Sequence, residues 1–211
     1  MKIKVCGLTQ FNQLQQLDEL GVSFGGMIFY PKSLRCVLKY MNPLDVKKYK
    51  GHASKIGVFV NSTYDEIMNY VEDWGLNMVQ LHGEETPRFC ERLSEQLKVI
   101  KAFRISPDDS IDNKIRHYKD VCDMFLFDTA GETYGGTGKK FDWNTLHQTN
   151  IDKPFFLSGG IGPTDTSVIK NFQKDPNNQW LFGVDINSKF ETTPGIKDIE
   201  LVRKFVAELS V

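Results

Sequence analysis

The sequence predicts a (β/α)8 (TIM) barrel, an α/β fold in which eight parallel strands close into a cylinder that helices cover. Eight short apolar segments begin about 25 residues apart on average, the length of one strand with its following helix. The segments are almost continuously apolar, as expected for strands buried on both faces. Amphipathic segments with capping residues separate them. With 211 residues, we expect a single domain spanning residues 1–211.

The predicted strands favour a closed barrel over an open sheet. They are Ile3–Cys6, Phe24–Phe29, Lys55–Val60, Met78–Leu81, Val99–Phe103, Asp123–Phe127, Pro154–Leu157 and Leu181–Ile186. The alternative is an open doubly wound sheet, which usually has about five to seven strands and a phosphate loop after the first. Here the first turn reads CGLT at residues 6–9, and the chain contains neither GxGxxG nor GxxxxGK.

Capping residues indicate where the helices begin and end. Thr9 is predicted to cap a helix that ends at Gly21. Thr63 and Glu66 form a capping box before a helix closed by Gly75. Further helix starts are predicted at Thr86-Pro87, at Gly162-Pro163 and near Asp198.

Charge and hydropathy exclude several classes of protein. The chain has 26 Lys and Arg residues against 27 Asp and Glu residues, so no overall field gathers nucleic acid or an anionic membrane. No apolar run approaches the ~18 residues that span a bilayer. The first nine residues, MKIKVCGLT, lack the longer apolar stretch of a signal peptide, so we expect a cytoplasmic protein with no nucleic-acid or membrane partner.

The cysteines indicate neither a disulfide framework nor a structural metal site. Cys6, Cys36, Cys90 and Cys122 lie far apart, with no CxxC pair and no histidine at zinc-ligand spacing. They are predicted to be free thiols. Cys90 and Cys122 are predicted to serve packing.

Polar residues end nearly every predicted strand. In a barrel, the carboxyl ends of the strands form the active-site face. The candidates are Cys6, Asn61, Gln80 with His82, Arg104, Asp128, Ser158 and Asp185, together with Arg35 in the loop after the second strand. The other histidines, His52, His117 and His147, are predicted to be solvated.

Two turns after the last strands are suited to a phosphate group. Gly159 and Gly160 offer bare backbone N–H groups before a helix start. Asn187 and Ser188 add donors beside them. A third loop, residues 129–138, carries four glycines and is predicted to be a lid or ligand loop.

Cys6 and Asp128 are candidates for proton transfer at carbon. A thiol and a carboxyl group that face each other across a barrel mouth can serve as base and acid. A free thiol is only a few per cent ionised near neutral pH, so the basic role requires a nearby cation or helix N-terminus.

Nine segments match one enzyme family in order and spacing. They are KVCGLT from Lys4, IFYPKS from Ile28 with Arg35 after it, GVFVN from Gly57, VQLHGEE from Val79, VIKAFR from Val99, the strand end at Asp128, GGTGKKFDW from Gly135, SGG at Ser158, and GVD at Gly183 with PGIKD at Pro194. By these segments the sequence resembles phosphoribosylanthranilate isomerases, (β/α)8 enzymes of tryptophan biosynthesis. The resemblance implies an Amadori rearrangement of N-(5'-phosphoribosyl)anthranilate, a small-molecule substrate, without metal or organic cofactor.

The resemblance also implies roles for individual residues. Asp128 would be the general acid that opens the sugar ring, and Cys6 the base that removes the proton from C2. The implied binding residues are Arg35 for the anthranilate carboxylate, Gln80 and His82 for the anthranilate side, Asp185 for sugar hydroxyls, and Gly159, Gly160, Asn187 and Ser188 for the phosphate. The family usually has glycine where Lys189 stands, which leaves two alternatives: either the backbone there avoids positive φ, or the loop is reshaped and Lys189 adds charge directly to the phosphate. The chain is expected to be a monomer or a homodimer.

Two alternatives remain at this point. One is the histidine-pathway aminoaldose isomerase, which performs the same rearrangement on another amine, although its first-strand base is an aspartate where this chain has Cys6. The other is a phosphate-binding barrel without catalysis, which would have lost the acid and base positions that this chain retains.

Overall fold

A closed barrel of eight parallel strands forms the centre of the protein, described here from a computed structural model for residues 1–130 and 141–210. The strands are β1 (Lys2–Val5), β2 (Phe24–Ile28), β3 (Ser54–Phe59), β4 (Met78–Leu81), β5 (Lys98–Ile105), β6 (Met124–Thr129), β7 (Phe155–Leu157) and β8 (Leu181–Ile186). Each strand pairs with the next, and β8 pairs with β1. Every strand begins within one residue of its predicted start. The predicted (β/α)8 fold is confirmed.

Helices connect the strands around the outside. The α-helices are α1 (Phe11–Glu19), α2 (Pro43–Lys48), α3 (Tyr64–Trp74), α4 (Pro87–Ser94), α5 (Ile111–Ile115), α6 (Thr166–Lys174) and α7 (Ile199–Ser210). Short 3-10 helices span Val37–Lys39, Trp143–Gln148, Pro163–Asp165, Pro176–Asn178 and Ser188–Phe190. Between β6 and β7, the described residues form the 3-10 helix Trp143–Gln148 and no α-helix. A small antiparallel hairpin, β9 (Glu191–Thr193) and β10 (Ile196–Lys197), precedes α7.

Most predicted helix ends are confirmed, and one is wrong. Thr63 and Glu66 form the capping box, and Gly75 ends α3 with φ +60°. Thr86 caps α4 by accepting the N–H of Phe89. Thr9, in contrast, does not cap α1, because its hydroxyl donates to the carbonyl of Gly195 (2.7 Å) in the β9–β10 turn. The helix begins at Phe11, two residues after Thr9.

The helix starts near Gly162 and Asp198 follow the predictions with small differences. At Gly162, the chain first makes the 3-10 turn Pro163–Asp165, in which the Asp165 carboxylate accepts the N–H of Gly162 (2.6 Å), and only then enters α6. Asp198 accepts the N–H of Leu201 (3.1 Å) at the start of α7.

Two apolar layers determine where a pocket can form. The larger layer lies between the strands and the helices. The smaller layer fills the barrel and consists of Phe24, Ile56, Met78, Ile100, Ala102, Met124, Leu126 and Phe156. These side chains come from the beginnings and middles of the strands, so the interior is plugged there. The space at the carboxyl ends is left to polar side chains.

Candidate active site

A pocket of ≈ 760 Å³, open to solvent, lies at the carboxyl ends of the strands. All ten predicted site residues line it: Cys6, Arg35, Gln80, His82, Asp128, Gly159, Gly160, Asp185, Asn187 and Ser188. Ser158 lines it as well. The structure therefore brings these residues together, whereas their chemical roles stay predictions.

Two of the strand-end candidates lie outside the residues that line this pocket. Arg104 extends to Glu84, with Nη2 3.1 Å from Oε1, and lines a separate cavity. Asn61 accepts the N–H of Glu84 through its side chain (2.7 Å) and has a left-handed backbone, φ +53°. Asn61 thus shapes the loop after β3, and its predicted place among the active-site residues is wrong.

Cys6 lies at the inner wall of the pocket, directly after β1. Its side chain is buried, and its N–H donates to the carbonyl of Ile186 (2.9 Å). Burial raises the pKa of the thiol, the positive charges of Lys4 and Lys197 oppose that rise, and the carboxylate of Asp185 adds to it. The cation that the sequence argument required beside Cys6 is therefore present, but on residues that the argument had not selected.

Lys4 and Asp185 form a buried ion pair beneath the pocket. The Lys4 ammonium lies 2.9 Å from Oδ1 of Asp185, and Lys4 is fully buried. Burial alone lowers the pKa of Lys4, but the charges of Asp185 and Cys6 outweigh it and raise that pKa. Burial raises the pKa of Asp185, while Lys4 lowers it. The predicted sugar-binding residue Asp185 is thus already engaged by a cation.

Asp128 is the last of three polar side chains that contact one another in sequence across the mouth of the pocket: Gln80, His82 and Asp128. One of its carboxylate oxygens accepts the N–H of Thr129 (2.8 Å), and the other lies 3.3 Å from Nε2 of His82. Nδ1 of His82 lies 2.8 Å from Nε2 of Gln80. When Gln80 donates to Nδ1, the imidazole proton resides on Nε2 and points to Asp128. The three side chains therefore orient one another.

Arg35 is held by an acidic partner that the sequence argument missed. Its Nε lies 2.9 Å from Oε1 of Glu191, and its Nη2 lies 2.6 Å from Oε2. Lys197 also contacts Oε1 of Glu191 (2.7 Å) and the side-chain oxygen of Asn187 (2.7 Å). Burial raises the pKa of Glu191, but Arg35 and Lys197 outweigh it and lower that pKa. The segment PGIKD, which includes Lys197, was the sequence signal nearest to this cluster.

Glycine at position 7 permits the approach of Arg35 to the turn after β8. Gly7 has φ +76°, and a Cβ there would lie 2.7 Å from Cδ of Arg35 and 2.8 Å from Oδ1 of Asn187. Any side chain would therefore displace the cluster.

The predicted phosphate turns lie on one side of the pocket. Gly159 and Gly160 have φ +88° and +65°, two successive left-handed residues that glycine tolerates best. A Cβ on Gly159 would lie 2.2 Å from Oγ1 of Thr129, so the turn packs closely on the end of β6. Asn187 and Ser188 line the same pocket. The arrangement offers backbone donors to an anion.

Other sequence predictions have mixed outcomes. Cys90 and Cys122 are buried, so the prediction that they serve packing is confirmed. His52 and His117 are exposed. His147 is half-buried and stacks on Phe172 with ring centroids 5.4 Å apart, so the prediction that it is solvated is wrong. Most of the predicted lid, residues 131–138, lies outside the described residues.

The residues that the structure describes contain neither a metal-ligand cluster nor a helix that could span a membrane. Within residues 1–130 and 141–210, no group of three or more His, Cys, Asp or Glu side chains is arranged to hold a metal ion. Over the same residues, every helix is too short or too polar to cross a membrane.

Comparisons with known proteins agree with the pocket. The family model described as N-(5'-phosphoribosyl)anthranilate (PRA) isomerase matches residues 3–208. A relative from Phocaeicola vulgatus, named N-(5'-phosphoribosyl)anthranilate isomerase, is 39% identical over 210 residues, which are 99% of this chain and 98% of the relative. The chain belongs to the phosphoribosylanthranilate isomerase family. It is accordingly an isomerase of tryptophan biosynthesis.

Solved structures of phosphoribosylanthranilate isomerases share the same barrel. The enzyme from Thermotoga maritima superimposes with a TM-score of 0.85 at 31% identity, covering 100% of this chain and 98% of that one. A second structure of the family has a TM-score of 0.79 at 28% identity, with the same coverage. That second enzyme was solved in complex with reduced 1-(o-carboxyphenylamino)-1-deoxyribulose 5-phosphate.

Proposed function

We propose that this chain converts N-(5'-phosphoribosyl)anthranilate to 1-(2-carboxyphenylamino)-1-deoxyribulose 5-phosphate, with Asp128 as general acid and Cys6 as general base. The observation that carries this proposal is that Cys6 and Asp128 line one pocket. The ligand of the related structure supports the class of substrate, because it carries a carboxyphenylamino group and a sugar phosphate.

The residues that line the pocket include groups suited to each end of this substrate. Arg35 is a planar cation suited to the anthranilate carboxylate. Gly159, Gly160, Asn187 and Ser188 offer donors to the phosphate. Gln80 and His82 lie on the anthranilate side, and Asp185 faces the sugar hydroxyls. Anchoring both ends matters because the opened sugar chain is flexible, and fixed orientation lowers the entropic part of the barrier.

The first chemical step opens the ribose ring. Asp128 donates a proton to the ring oxygen, the bond from that oxygen to C1 breaks, and C1 becomes a Schiff base with the anthranilate nitrogen. The contacts of Asp128 with Thr129 and His82 fix the direction of its carboxyl group. General acid catalysis of this kind contributes typically about 10²–10⁴-fold.

The second step moves hydrogen between carbons. The Cys6 thiolate removes the proton from C2, and the electron pair of the C–H bond forms the C1–C2 double bond of an enolamine. The enolamine then tautomerises, as the hydroxyl proton on C2 leaves and C1 gains a proton to give the ketone. Asp128 has lost one proton and Cys6 has gained one, so one proton exchange resets the site.

The proposal includes the setting of the enzyme. We expect a single catalytic domain, residues 1–211, that acts in the cytoplasm as a monomer or homodimer. The chemistry above uses only protons and side chains of this chain, so we expect no cofactor requirement, and activity after dialysis against a chelator tests that expectation.

The decisive experiment follows the loss of fluorescence of N-(5'-phosphoribosyl)anthranilate with purified protein. The wild type is expected to turn over, and Cys6→Ser and Asp128→Asn are each expected to lower kcat at least ~10²-fold with little loss of product affinity. Lys2→Met, an exposed change on β1, the strand directly before Cys6, is the matched control and is expected to leave kcat unchanged. A Cys6→Ser or Asp128→Asn enzyme that works at the wild-type rate would remove that residue from the mechanism.

A further inference from the structure

Lys4 is an unusual residue for the interior of this barrel. Its side chain is fully buried, although the layer beneath the pocket is otherwise built from Phe24, Met78 and other apolar side chains. An ammonium group is expensive to bury unless an anion and hydrogen bonds compensate it. The neighbours of Lys4 therefore indicate why a charge is retained there.

The first neighbour is Asp185. Lys4 on β1 and Asp185 on β8 are directly opposite each other in the strand register, and the ammonium lies 2.9 Å from Oδ1. This contact compensates the charge. It does not by itself explain the charge, because apolar residues of similar volume often replace a buried ion pair without loss of stability.

The second neighbour is the thiol of Cys6. Cys6 follows Lys4 by two residues, so the two side chains project from the same face of the strand. The two groups converge on Gly26, since a Cβ there would lie 3.0 Å from Sγ of Cys6 and 3.1 Å from Nζ of Lys4. Glycine at this position therefore lets the ammonium and the thiol lie close together, and the charge of Lys4 acts on the thiol as well as on Asp185.

The charges around Cys6 show what this contact does. Lys197 on β10 and Arg35 after β2 also place positive charge near the thiol, and Asp185 on β8 places negative charge there. His82 and Asp128 face the same pocket from β4 and β6. Among the cations, Lys4 opposes the effect of burial on the pKa of the thiol most strongly.

We infer that Lys4 is a positioning residue whose ammonium group, fixed by Asp185, stabilises the thiolate of Cys6 from beneath the pocket. The inference rests on the proposed role of Cys6 as base. It assigns to Lys4 a part in proton transfer without contact with the substrate. Burial disfavours the thiolate, and Lys4 supplies the compensating charge where no water reaches.

The test measures the thiol directly. Lys4→Met keeps most of the length of the unbranched side chain and removes its charge. The rate at which iodoacetamide alkylates Cys6, followed by mass spectrometry of the Cys6 peptide across pH, reports the thiolate fraction. At neutral pH, Lys4→Met is expected to slow this alkylation roughly tenfold or more, which corresponds to a pKa increase of at least about one unit. We also expect kcat to fall by a similar factor and to recover as pH rises, with KM nearly unchanged.

Two variants separate this effect from damage to the fold. Lys101→Met removes another buried lysine, paired with Glu85 at 3.0 Å, and is expected to destabilise the protein while leaving Cys6 alkylation unchanged. If Lys4→Met does not fold, Lys4→Met/Asp185→Asn removes both charges of the pair. The double variant is still expected to slow alkylation, because Lys4 acts on the thiol more strongly than Asp185 does.

The outcomes distinguish the inference from the proposed function. If Cys6→Ser is inactive while Lys4→Met, or the double variant, alkylates and turns over with the wild-type pH profile, the inference about Lys4 is overturned and Cys6 remains the base. If Cys6→Ser is fully active, the proposed role of Cys6 fails, whatever the alkylation profile of Lys4→Met.

Discussion

Two buried lysine–carboxylate pairs lie on opposite faces of the same sheet. Lys4–Asp185 projects into the barrel beneath the pocket, at 2.9 Å. Lys101–Glu85, at 3.0 Å, lies on the helix-facing side, where Lys101 also donates to the carbonyls of Leu81 and Gly83. Both pairs are buried, and each joins a lysine ammonium group to a carboxylate. Because strand residues alternate between faces, one pair lies near the thiol of Cys6 and the other anchors a loop.

Glu85 shows the role of the outer pair, which is the helix-facing pair Lys101–Glu85. Its carboxylate accepts the N–H groups of Asn61 and Gly83, so the pair joins the loops after β3 and β4. A buried pair of this kind contributes shape to the site without taking part in its chemistry. We therefore expect substitutions in the outer pair, Lys101–Glu85, to change mainly the free energy of unfolding. Substitutions in the inner pair, Lys4–Asp185, are expected to change mainly the pKa and the alkylation rate of the Cys6 thiol.

The largest expected effect is the loss of the outer pair. Glu85→Gln leaves the ammonium of Lys101 buried without its anion, and removing one partner of such a pair typically costs about 3–5 kcal/mol. Urea denaturation is expected to show this loss, while kcat per folded molecule stays near that of the wild type. The double variant Glu85→Gln/Lys101→Met is expected to recover part of the stability. A large loss of kcat in folded Glu85→Gln protein would erase the distinction between the pairs.

Asp185→Asn is expected to act on the thiol in the opposite direction to Lys4→Met. The negative charge of Asp185 opposes ionisation of Cys6, and the substitution removes it while the ammonium of Lys4 remains. Alkylation of Cys6 is therefore expected to occur at lower pH than in the wild type. A shift to higher pH would contradict the charge arrangement beneath the pocket.

A third ion pair, Arg35–Glu191, lies at the rim of the pocket and differs from the two buried pairs in orienting a predicted substrate-binding residue. Glu191→Gln weakens the contacts that orient Arg35, so we expect KM for the anthranilate substrate to rise several-fold, by roughly 1 kcal/mol of binding, with a smaller change in kcat. Glu200→Gln, an exposed change on α7, is the control. An unchanged KM in Glu191→Gln would show that the orientation of Arg35 does not depend on Glu191.

The lowered pKa of Glu191 also predicts that the free energy of unfolding depends on pH. The pKa of Glu191 is lowered in the folded protein, so its ionisation stabilises the fold at pH values above its unfolded pKa of about 4.3. This contribution is lost as pH falls below that value through the lowered folded pKa. The stability difference between the wild type and Glu191→Gln is therefore expected to shrink below pH ~4. A difference that stays constant down to the folded pKa would contradict the shift.

The smallest expected effect belongs to Lys189. This residue is exposed, and its Cβ lies 3.9 Å from the Cβ position of Gly162, beside the phosphate turn. An exposed charge is worth up to about 1 kcal/mol, so Lys189→Gly is expected to raise KM no more than about fivefold and to reduce its dependence on salt. Lys189→Arg keeps the charge and is expected to behave as the wild type. A KM for Lys189→Gly that is unchanged at every salt concentration would exclude the added charge.

The sequence sufficed for those features that depend on local pattern. Continuous apolar segments predicted the starts of all eight strands to within one residue, and polar strand ends together with the loops and turns after the strands predicted ten residues that meet in the pocket. Both follow from strand periodicity and from the rule that carboxyl ends share one face. The 3-10 helix after β6 and the contact of Thr9 with Gly195 depend on tertiary packing and were not predicted.

The sequence did not predict which side chains contact the site residues. Lys4 and Asp185 are 181 residues apart, and Arg35 and Glu191 are 156 apart, so only closure of the barrel brings them together. Lys4 was part of a matched segment and of a predicted strand, but lysine side chains are far more often solvated than fully buried. No local pattern distinguishes the two fates.

The seam between β1 and β8 has a consequence for synthesis on the ribosome. Lys4 and Cys6 are synthesised long before Asp185, Glu191 and Lys197. Contacts of such long sequence separation form late in folding. A nascent chain that carries only the first seven strands therefore holds Lys4 next to Cys6 without the carboxylate that fixes the ammonium, and the charge arrangement around the thiol is complete only when β8 and the β9–β10 hairpin have docked.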